Sequence, residues 1–299
     1  MRLESLKVLS WYVGAAVALS LAAALADAAA PNKVTEEVIV EGTRLEIEKR
    51  AYTFVTGITH EGYATKSLAR WNQPICPLVA GIPADQGEFI LRGISQATLA
   101  AGAQLALREC RANFHVVVIS DPDQLMVLWR KRAPRLFGGE SPTAVRHVMS
   151  TPRPVRIWYN AQETCAGTGW TAMQDASGTL GQMFIAGGCP AKATRLAFTA
   201  VRPISSVIVL VDFDDVKEVK LGALTDYISM VGLAQVDLDG NRGDAPTVLR
   251  LFSNSADVVA QRMSAWDRSF LKALYSTPQR SRFQRSEMAR AMVRDFVKE

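Results

Sequence analysis

Histidine is scarce in this sequence of 299 residues, and the scarcity limits the metal chemistry that the chain can perform. His60, His115 and His147 are its three histidines, and none stands at metal-ligand spacing from another. Ala64 occupies the position where a zinc-binding helix starting at His60 needs its second histidine. We read His60 as a loop residue, His115 as a core or strand-edge residue and His147 as a solvated helix residue. We expect no metal and no cofactor.

Cysteine is also scarce, and its spacing excludes the common metal and redox motifs. The four cysteines include no C-x-x-C pair of the kind that zinc ribbons and thioredoxin-like sites use. An even number of cysteines in an exported chain indicates two disulfides. Three connectivities are open, and we favour Cys76–Cys110 with Cys165–Cys189, since each pair encloses one continuous unit. Each such loop stabilises a fold by about 3–4 kcal/mol in the chain-entropy model.

Long apolar runs are absent after residue 28, so we expect no later segment to span a membrane. Within residues 1–28, basic residues precede the apolar run Val8–Leu25, and Ala26 with Ala28 forms an A-x-A pattern. This order is typical of a secretory signal peptide that is cleaved after Ala28. A retained anchor is the alternative, because the run approaches the length of a membrane span. We expect a periplasmic or secreted protein.

Motifs for phosphate binding and for nucleophilic catalysis are missing as well. No glycine-rich phosphate loop is present. The segment Gly93–Ala97 approaches G-x-S-x-G, but it lies within a helical pattern instead of at a strand-to-helix turn. The segment Asp237–Asp244 alternates oxygen-bearing side chains as a calcium loop does, yet Arg242 and Val248 stand where that loop needs glycine and a bidentate acid. We interpret it as a polar turn.

Basic residues cluster at two places in a chain of net charge +5. An exported protein does not meet nucleic acid, so we expect no nucleic-acid partner. A solvated surface and peripheral contact with an anionic membrane or a glycan remain as interpretations of these clusters. The first cluster is Arg130, Lys131, Arg132 and Arg135, and the second is Arg280, Arg282, Arg285, Arg290 and Arg294.

Alternating helical and strand patterns predict an α+β fold with a mixed sheet. We expect a single domain over residues 29–299 that ends in a basic helix at about 278–299. The predicted strands are Glu37–Glu41, Phe114–Ser120, Val155–Tyr159, Met183–Ala186 and Ile204–Phe213. The predicted helices are Arg44–Phe54, Pro83–Glu109, Gln124–Leu136, Pro142–Met149, Leu221–Leu233, Ala265–Tyr275 and Arg285–Lys298.

The C-terminal part carries a resemblance to a known family. The segment Leu224–Gln235 is preceded by a strand and followed by the helix Met263–Tyr275, in which Ser264 and Asp267 form a capping box. This order resembles the C-terminal part of metzincin metallopeptidases, where a helix with H-E-x-x-H-x-x-G-x-x-H precedes a helix reading D-x-x-x-L-x-x-L-Y. The resemblance implies a metzincin-like topology.

The same alignment defines a degenerate metal site. With Gly232 at the motif glycine, the ligand positions are Thr225, Ser229 and Gln235, and the general-base position is Asp226. Hydroxyl and amide groups are poor zinc ligands, so we expect no zinc hydrolysis at this helix. The whole chain is also similar to exported proteins of Gram-negative bacteria that share the A-x-A signal, a Pro-Ile-Cys-Pro segment and a W-D-R-x-(F/Y)-L-(K/R)-x-L-Y element, and that have no assigned activity.

These observations favour a binding protein over an enzyme. We expect an exported, non-enzymatic protein that binds a peptide, a glycan or another protein of the cell envelope, along the cleft that a peptidase would use. The alternative is a peptidase-like hydrolase whose active site has moved. Its weak catalytic candidates are Asp226 and the acidic cluster Asp212, Asp214 and Asp215, which otherwise caps the following segment.

Overall fold

The structure, a computed structural model, combines helices with a mostly parallel sheet. It describes residues 33–61, 67–137, 142–165, 200–253 and 262–297. These residues divide into two units between Glu46 and Ile47. The predicted cleavage site at Ala28 and the predicted strand Met183–Ala186 lie outside the described residues. The α+β prediction is confirmed.

The helices and strands of the described residues follow the predicted order closely. The helices are α1 (Lys33–Ile58), α2 (Ala84–Ala101), α3 (Pro122–Arg132), α4 (Pro142–Ser150), α5 (Phe213–Val216), α6 (Leu221–Leu233), α7 (Ala265–Ser276) and α8 (Gln284–Phe296). The strands are β1 (Arg70–Trp71), β2 (Pro77–Ala80), β3 (Phe114–Ile119), β4 (Val155–Ala161), β5 (Thr164–Cys165), β6 (Ala200–Val201) and β7 (Pro203–Asp212).

The structure corrects the kind of one predicted strand and the length of three predicted helices, Arg44–Phe54, Pro83–Glu109 and Gln124–Leu136, which correspond to α1, α2 and α3. The predicted strand Glu37–Glu41 lies inside α1, because extending an established helix by one residue costs far less than starting a new element, and this outweighs the strand preference of a short β-branched run. The predicted helix Pro83–Glu109 ends early. Gly102 adopts a left-handed conformation with φ of 81°, and its N–H bonds to the last turn of α2.

Strand β7 is the centre of the main sheet. It pairs in parallel with β3 over residues 207–212 and with β1 at its first residues, and β3 pairs in parallel with β2. Strand β4 pairs with β7 antiparallel, so the sheet is mixed as predicted. The nearly continuous apolar sequence of β7 follows from this position, since both of its faces are covered.

Two apolar cores lie on the opposite faces of this sheet. Alternate β7 residues Val207, Val209 and Val211 belong to the larger core, with the buried faces of α2, α6 and α7. Ile208 and Leu210 belong to the smaller core, which includes residues of α3 and β4. The period-two alternation of a strand therefore distributes one apolar run between two cores.

A disulfide joins the segment before β2 to the loop before β3. It links Cys76 to Cys110, with 6.0 Å between their Cα atoms, and this confirms one of the two predicted bridges. The other predicted bridge includes Cys189, which lies outside the described residues. Across the described ranges, no helix combines the length and the apolar composition that crossing a membrane requires.

Candidate functional site

The first two degenerate ligand positions lie on α6 and are buried. Thr225 and Ser229 are 2% and 1% exposed. The Thr225 hydroxyl donates to the carbonyl oxygen of Leu221 at 2.7 Å, and the Ser229 hydroxyl donates to that of Thr225 at 2.8 Å. Each hydroxyl therefore bonds back to its own helix, one turn earlier, and is not directed at a common point where a metal ion would sit.

Gly232, at the motif glycine, is explained by packing. A Cβ atom built on Gly232 would lie 1.9 Å from Cζ of Phe114, so the Phe114 ring rests directly against the helix backbone. The ring of Trp71 stacks on Phe114 at a centroid distance of 6.3 Å, and its Nε1 donates to the Gly232 carbonyl oxygen at 2.9 Å. Only glycine permits this close approach.

The weak catalytic candidate Asp226 accepts structural hydrogen bonds. Its Oδ2 accepts from Arg262 Nε at 2.7 Å and from the Met263 backbone N–H at 2.8 Å. These bonds hold the segment that leads into α7. The other predicted acids stand at the end of β7, where Asp212 accepts from the Asp214 N–H and caps α5. Asp226 and Asp212 therefore both accept structural hydrogen bonds.

The third ligand position lies at a different cavity from the first. Gln235 accepts a hydrogen bond from Arg202 Nη1 at 2.6 Å and lines a pocket of about 290 Å³, which we call the β4 pocket. Thr225 instead lines a larger cavity of about 570 Å³ between α2 and α6, which we call the α2–α6 groove. Two of the three ligand positions of the metzincin alignment, Thr225 and Gln235, therefore line different cavities.

The β4 pocket lies beside strand β4 and has an apolar lining with a few polar groups. Its walls come from β4, from α4, from the loop between them and from the loop that follows α6. The Asp212 N–H donates to the Pro154 carbonyl oxygen, so these two residues form a hydrogen-bonded pair of the antiparallel ladder. Hydrogen-bonded and non-hydrogen-bonded pairs alternate along such a ladder. The backbone N–H and C=O groups of Val155 and Ile157 are therefore directed away from β7. Ile157 itself lines the pocket.

The loop Asp237–Gly243 carries two of the pocket carboxylates and is anchored on α1. The Asp237 N–H donates to the Ile58 carbonyl oxygen at 2.8 Å. A Cβ atom on Gly57 would lie 1.8 Å from the Asn241 carbonyl oxygen, so the loop backbone lies directly on that glycine. Asp237 Oδ1 accepts from the Asp239 N–H. The loop is a polar turn, as predicted.

One ion pair and one histidine–carboxylate contact line the polar part of the β4 pocket. Arg153 Nη2 contacts both carboxylate oxygens of Asp239, at 2.5 and 2.6 Å. His60 Nε2 lies 3.4 Å from Asp237 Oδ2. The hydrogen bond from Arg153 is the main cause that lowers the pKa of Asp239 from its ordinary value. The pocket therefore offers donors and acceptors in pairs instead of a net charge.

Arg156 is a buried cation in the wall of the same pocket. Its side chain is 5% exposed, whereas its partner Asp123 on α3 is 71% exposed. Nη1 of Arg156 donates to Asp123 and also contacts the Met126 sulfur at 3.5 Å. Nε of Arg156 is buried and has no hydrogen-bond partner among the residues that the structure describes. Such an arrangement is uncommon, because a buried polar atom normally has a partner.

The two aromatic residues of β4 that line the pocket are committed to other bonds. Trp158 Nε1 donates to the Leu136 carbonyl oxygen at 3.0 Å, and its ring stacks on Phe137. The Tyr159 hydroxyl donates to the Val231 carbonyl oxygen at 2.7 Å. Both side chains are buried, so neither ring presents an open face to a ligand.

The sequence patterns do not point to two residues of this pocket, Arg153 and Arg156. A charged residue inside the predicted strand Val155–Tyr159 is a usable signal for Arg156. His60 lies in a loop, as predicted. Its contact with Asp237 could not be predicted, because the two residues are far apart in the sequence. His147 lies on α4, as predicted, and also lines the pocket. In the ranges that the structure describes, no three His, Cys, Asp or Glu side chains are grouped to hold a metal ion.

Comparison with known proteins adds no relative. No protein-family model, curated protein or solved structure matches the chain significantly.

Proposed function

We propose that this is a non-enzymatic protein of the cell envelope and that its β4 pocket holds an extended segment of a peptide or protein partner. The β4 pocket carries the proposal. It combines apolar walls with paired donors and acceptors beside a strand whose Val155 and Ile157 backbone groups are directed away from β7. An extended peptide matches such a site, since its backbone pairs with a strand edge while one side chain enters a small cavity.

The size and lining of the pocket favour a peptide over a glycan. A volume of about 290 Å³ is at the lower end for a small-molecule site and accommodates a side chain with its adjoining backbone. Sugar binding commonly uses the apolar face of an aromatic ring, but the rings of Trp158 and Tyr159 are buried. The paired charges of Arg153 and Asp239 match a ligand that carries both donors and acceptors.

The disulfide supports an exported location. A bridge such as Cys76–Cys110 persists in oxidising compartments and is rare in the reducing cytosol of mesophiles. Together with the signal-like N-terminal segment, it favours a periplasmic or secreted protein. The absence of free thiols in exported material, measured by thiol labelling and intact mass, is the expected result. Two labelled cysteines would contradict the two-disulfide proposal.

A display library of short random peptides tests the binding proposal. We expect the oxidised protein to retain a set of peptides that shares one apolar position. Val148→Trp places a large ring in the pocket and abolishes retention, whereas Val127→Trp, on the exposed face of α3, leaves retention unchanged. If no peptide is retained above background, or if both variants retain the same peptides as the original chain, the proposal is wrong.

A hydrolase is the second candidate, and one observation favours it. The His60 imidazole lies 3.4 Å from the Asp237 carboxylate at the β4 pocket, and a histidine oriented by a carboxylate is the usual general base for activating water. Mass spectrometry of retained peptides distinguishes the two candidates. Cleavage that His60→Gln abolishes while binding persists would establish the hydrolase. Stoichiometric zinc in the purified protein would establish a metal site that neither candidate includes.

Helix α3 supports the proposed peripheral contact with an anionic membrane. Val127 and Leu128 are 44% and 40% exposed, and Arg130, Lys131 and Arg132 stand in the last turn. Exposed aliphatic and basic side chains together are typical of helices that lie on anionic lipid. We expect Lys131→Glu to weaken sedimentation with phosphatidylglycerol vesicles about fivefold or more. Equal sedimentation with neutral vesicles would contradict this contact.

A further inference from the structure

The α2–α6 groove is a second cavity, and the proposed peptide function does not use it. Its volume of about 570 Å³ lies within the range of small-molecule sites. One side of α2 forms the floor through Gly93, Ala97 and Ala100, and Gly222 and Thr225 of α6 complete it. These side chains are short, so the space above them is open.

The two helices meet closely at one point of this floor. A Cβ atom on Gly93 would lie 2.3 Å from Cγ2 of Thr225, so the glycine is needed for the contact between α2 and α6. Apolar side chains of Phe89, Met263 and Leu271 also line the cavity. The groove therefore has an apolar interior whose shape depends on a rigid helix pair.

The rim of the groove is cationic. Arg92 and Arg262 have side chains that are 65% and 73% exposed, and the exposed Arg268 also lines the cavity. The lining contains a single carboxylate, that of Asp226, which is largely buried and already bonded to Arg262. Arg92 has Glu88 as an ion-pair partner at 3.8 Å, a long and exposed pair that contributes little.

We infer that the α2–α6 groove binds a small amphiphile with an anionic head and an apolar tail. The tail lies on the floor formed by Gly93, Ala97 and Ala100, and the head is held by the arginines of the rim. A carboxylate or a phosphate matches the planar fork of a guanidinium, which donates two parallel hydrogen bonds. Because the lining has three arginines and one aspartate, the rim attracts an anionic head group, and the apolar floor accommodates an alkyl tail.

Titration calorimetry with octanoate, octyl phosphate, octanol and acetate tests the inference. We expect octanoate or octyl phosphate to bind at least tenfold more tightly than octanol and than acetate, and the better of the two identifies the head group. Equal binding of octanol and octanoate would overturn the role of the arginines. If no probe binds, the groove is not a ligand site and the inference is wrong.

Two pairs of variants locate the site. Ala100→Trp fills the groove and is expected to abolish binding, whereas Leu99→Trp, on an exposed residue of α2 outside the groove, leaves it unchanged. Arg92→Gln is expected to weaken binding about fivefold, the upper range for one solvent-exposed ion pair, while Arg294→Gln on α8 has no effect. Equal binding by both members of either pair would overturn the inference. Peptide retention at the β4 pocket is a separate measurement, so each proposal fails independently.

Discussion

The β4 pocket and the α2–α6 groove differ in how they handle charge. In the pocket, Arg153 bonds to Asp239, and His60 lies near Asp237. The groove is lined by three arginines and by one largely buried aspartate, which bonds to one of them. A cavity with paired charges distinguishes ligands by the arrangement of donors and acceptors, whereas a cavity with excess charge of one sign attracts any ligand of the other sign.

Both cavities depend on the same helix. Helix α6 contributes Thr225 and Asp226 to the groove, and the segment directly after it contributes Gln235, Asp237 and Asp239 to the pocket. The alignment with metzincins treats this stretch as one site. The structure separates it, because the chain leaves the helix at Ala234 in an extended conformation and the later residues lie against β4.

Gly232→Ala has the largest expected effect and breaks both cavities. The added Cβ would lie 1.9 Å from the Phe114 ring, so the ring or the helix must move. We expect a loss of about 3 kcal/mol in the free energy of unfolding, measured by urea denaturation, with loss of both peptide and octanoate binding. Gly87→Ala is the control, since its Cβ would meet only Val79 Cγ1 at 3.9 Å. Equal stability of the two variants would contradict the packing argument.

The contrast between buried and exposed arginine gives the second prediction. Asp123→Ala leaves Arg156 buried without its carboxylate and is expected to cost about 3 kcal/mol. Arg156→Met removes the buried charge and leaves Asp123 in water, so we expect a change within about 1 kcal/mol of the original stability.

The exposed Arg92 of the α2–α6 groove is the comparison for the buried Arg156 of the β4 pocket. Arg92→Gln is expected to change the free energy of unfolding by less than about 0.5 kcal/mol, because Arg92 is exposed and its ion pair is long. Chemical denaturation of the three variants measures these differences. If Asp123→Ala and Arg156→Met are equally destabilising, the stabilisation of the buried Arg156 charge does not depend on Asp123.

Salt has the smallest expected effect and sharpens the comparison between the two sites. Raising the ionic strength from about 0.01 M to about 0.15 M shortens the screening length from roughly 30 Å to roughly 8 Å. We expect octanoate affinity at the groove to fall severalfold, since its arginines are exposed. Peptide affinity at the β4 pocket should change less than about twofold, because its charges are already paired. Calorimetry at both salt concentrations measures the difference, and an equal fall at both sites would contradict it.

Much of the local structure could be predicted from sequence. The predicted helix Leu221–Leu233 has the bounds of α6, and the predicted strand Phe114–Ser120 matches β3 to within one residue. Ser264 and Asp267 form the predicted capping box at α7. These signals succeed because periodicity and capping act between residues that are only a few positions apart.

The failures have two causes, a local competition between strand and helix and contacts between residues that are distant in sequence. The predicted strand at Glu37–Glu41 is wrong because short β-branched runs do not outweigh the extension of a helix. The pairing of Arg156 with Asp123, and of Arg153 with Asp239, joins residues that are distant in sequence. No pattern of residue types over a short window reports such contacts.

The sequence by itself determined the α+β class and the scarcity of histidine that argues against a metzincin zinc site, but it left three disulfide connectivities open, and the structure shows the Cys76–Cys110 bridge. Composition, periodicity and short spacings are sufficient for these conclusions. Only the tertiary structure decided that Thr225 and Gln235 line different cavities, that Arg156 is buried, and that arginines surround the groove on α2. Cavities form between elements, so their shape and charge depend on how distant parts of the chain pack.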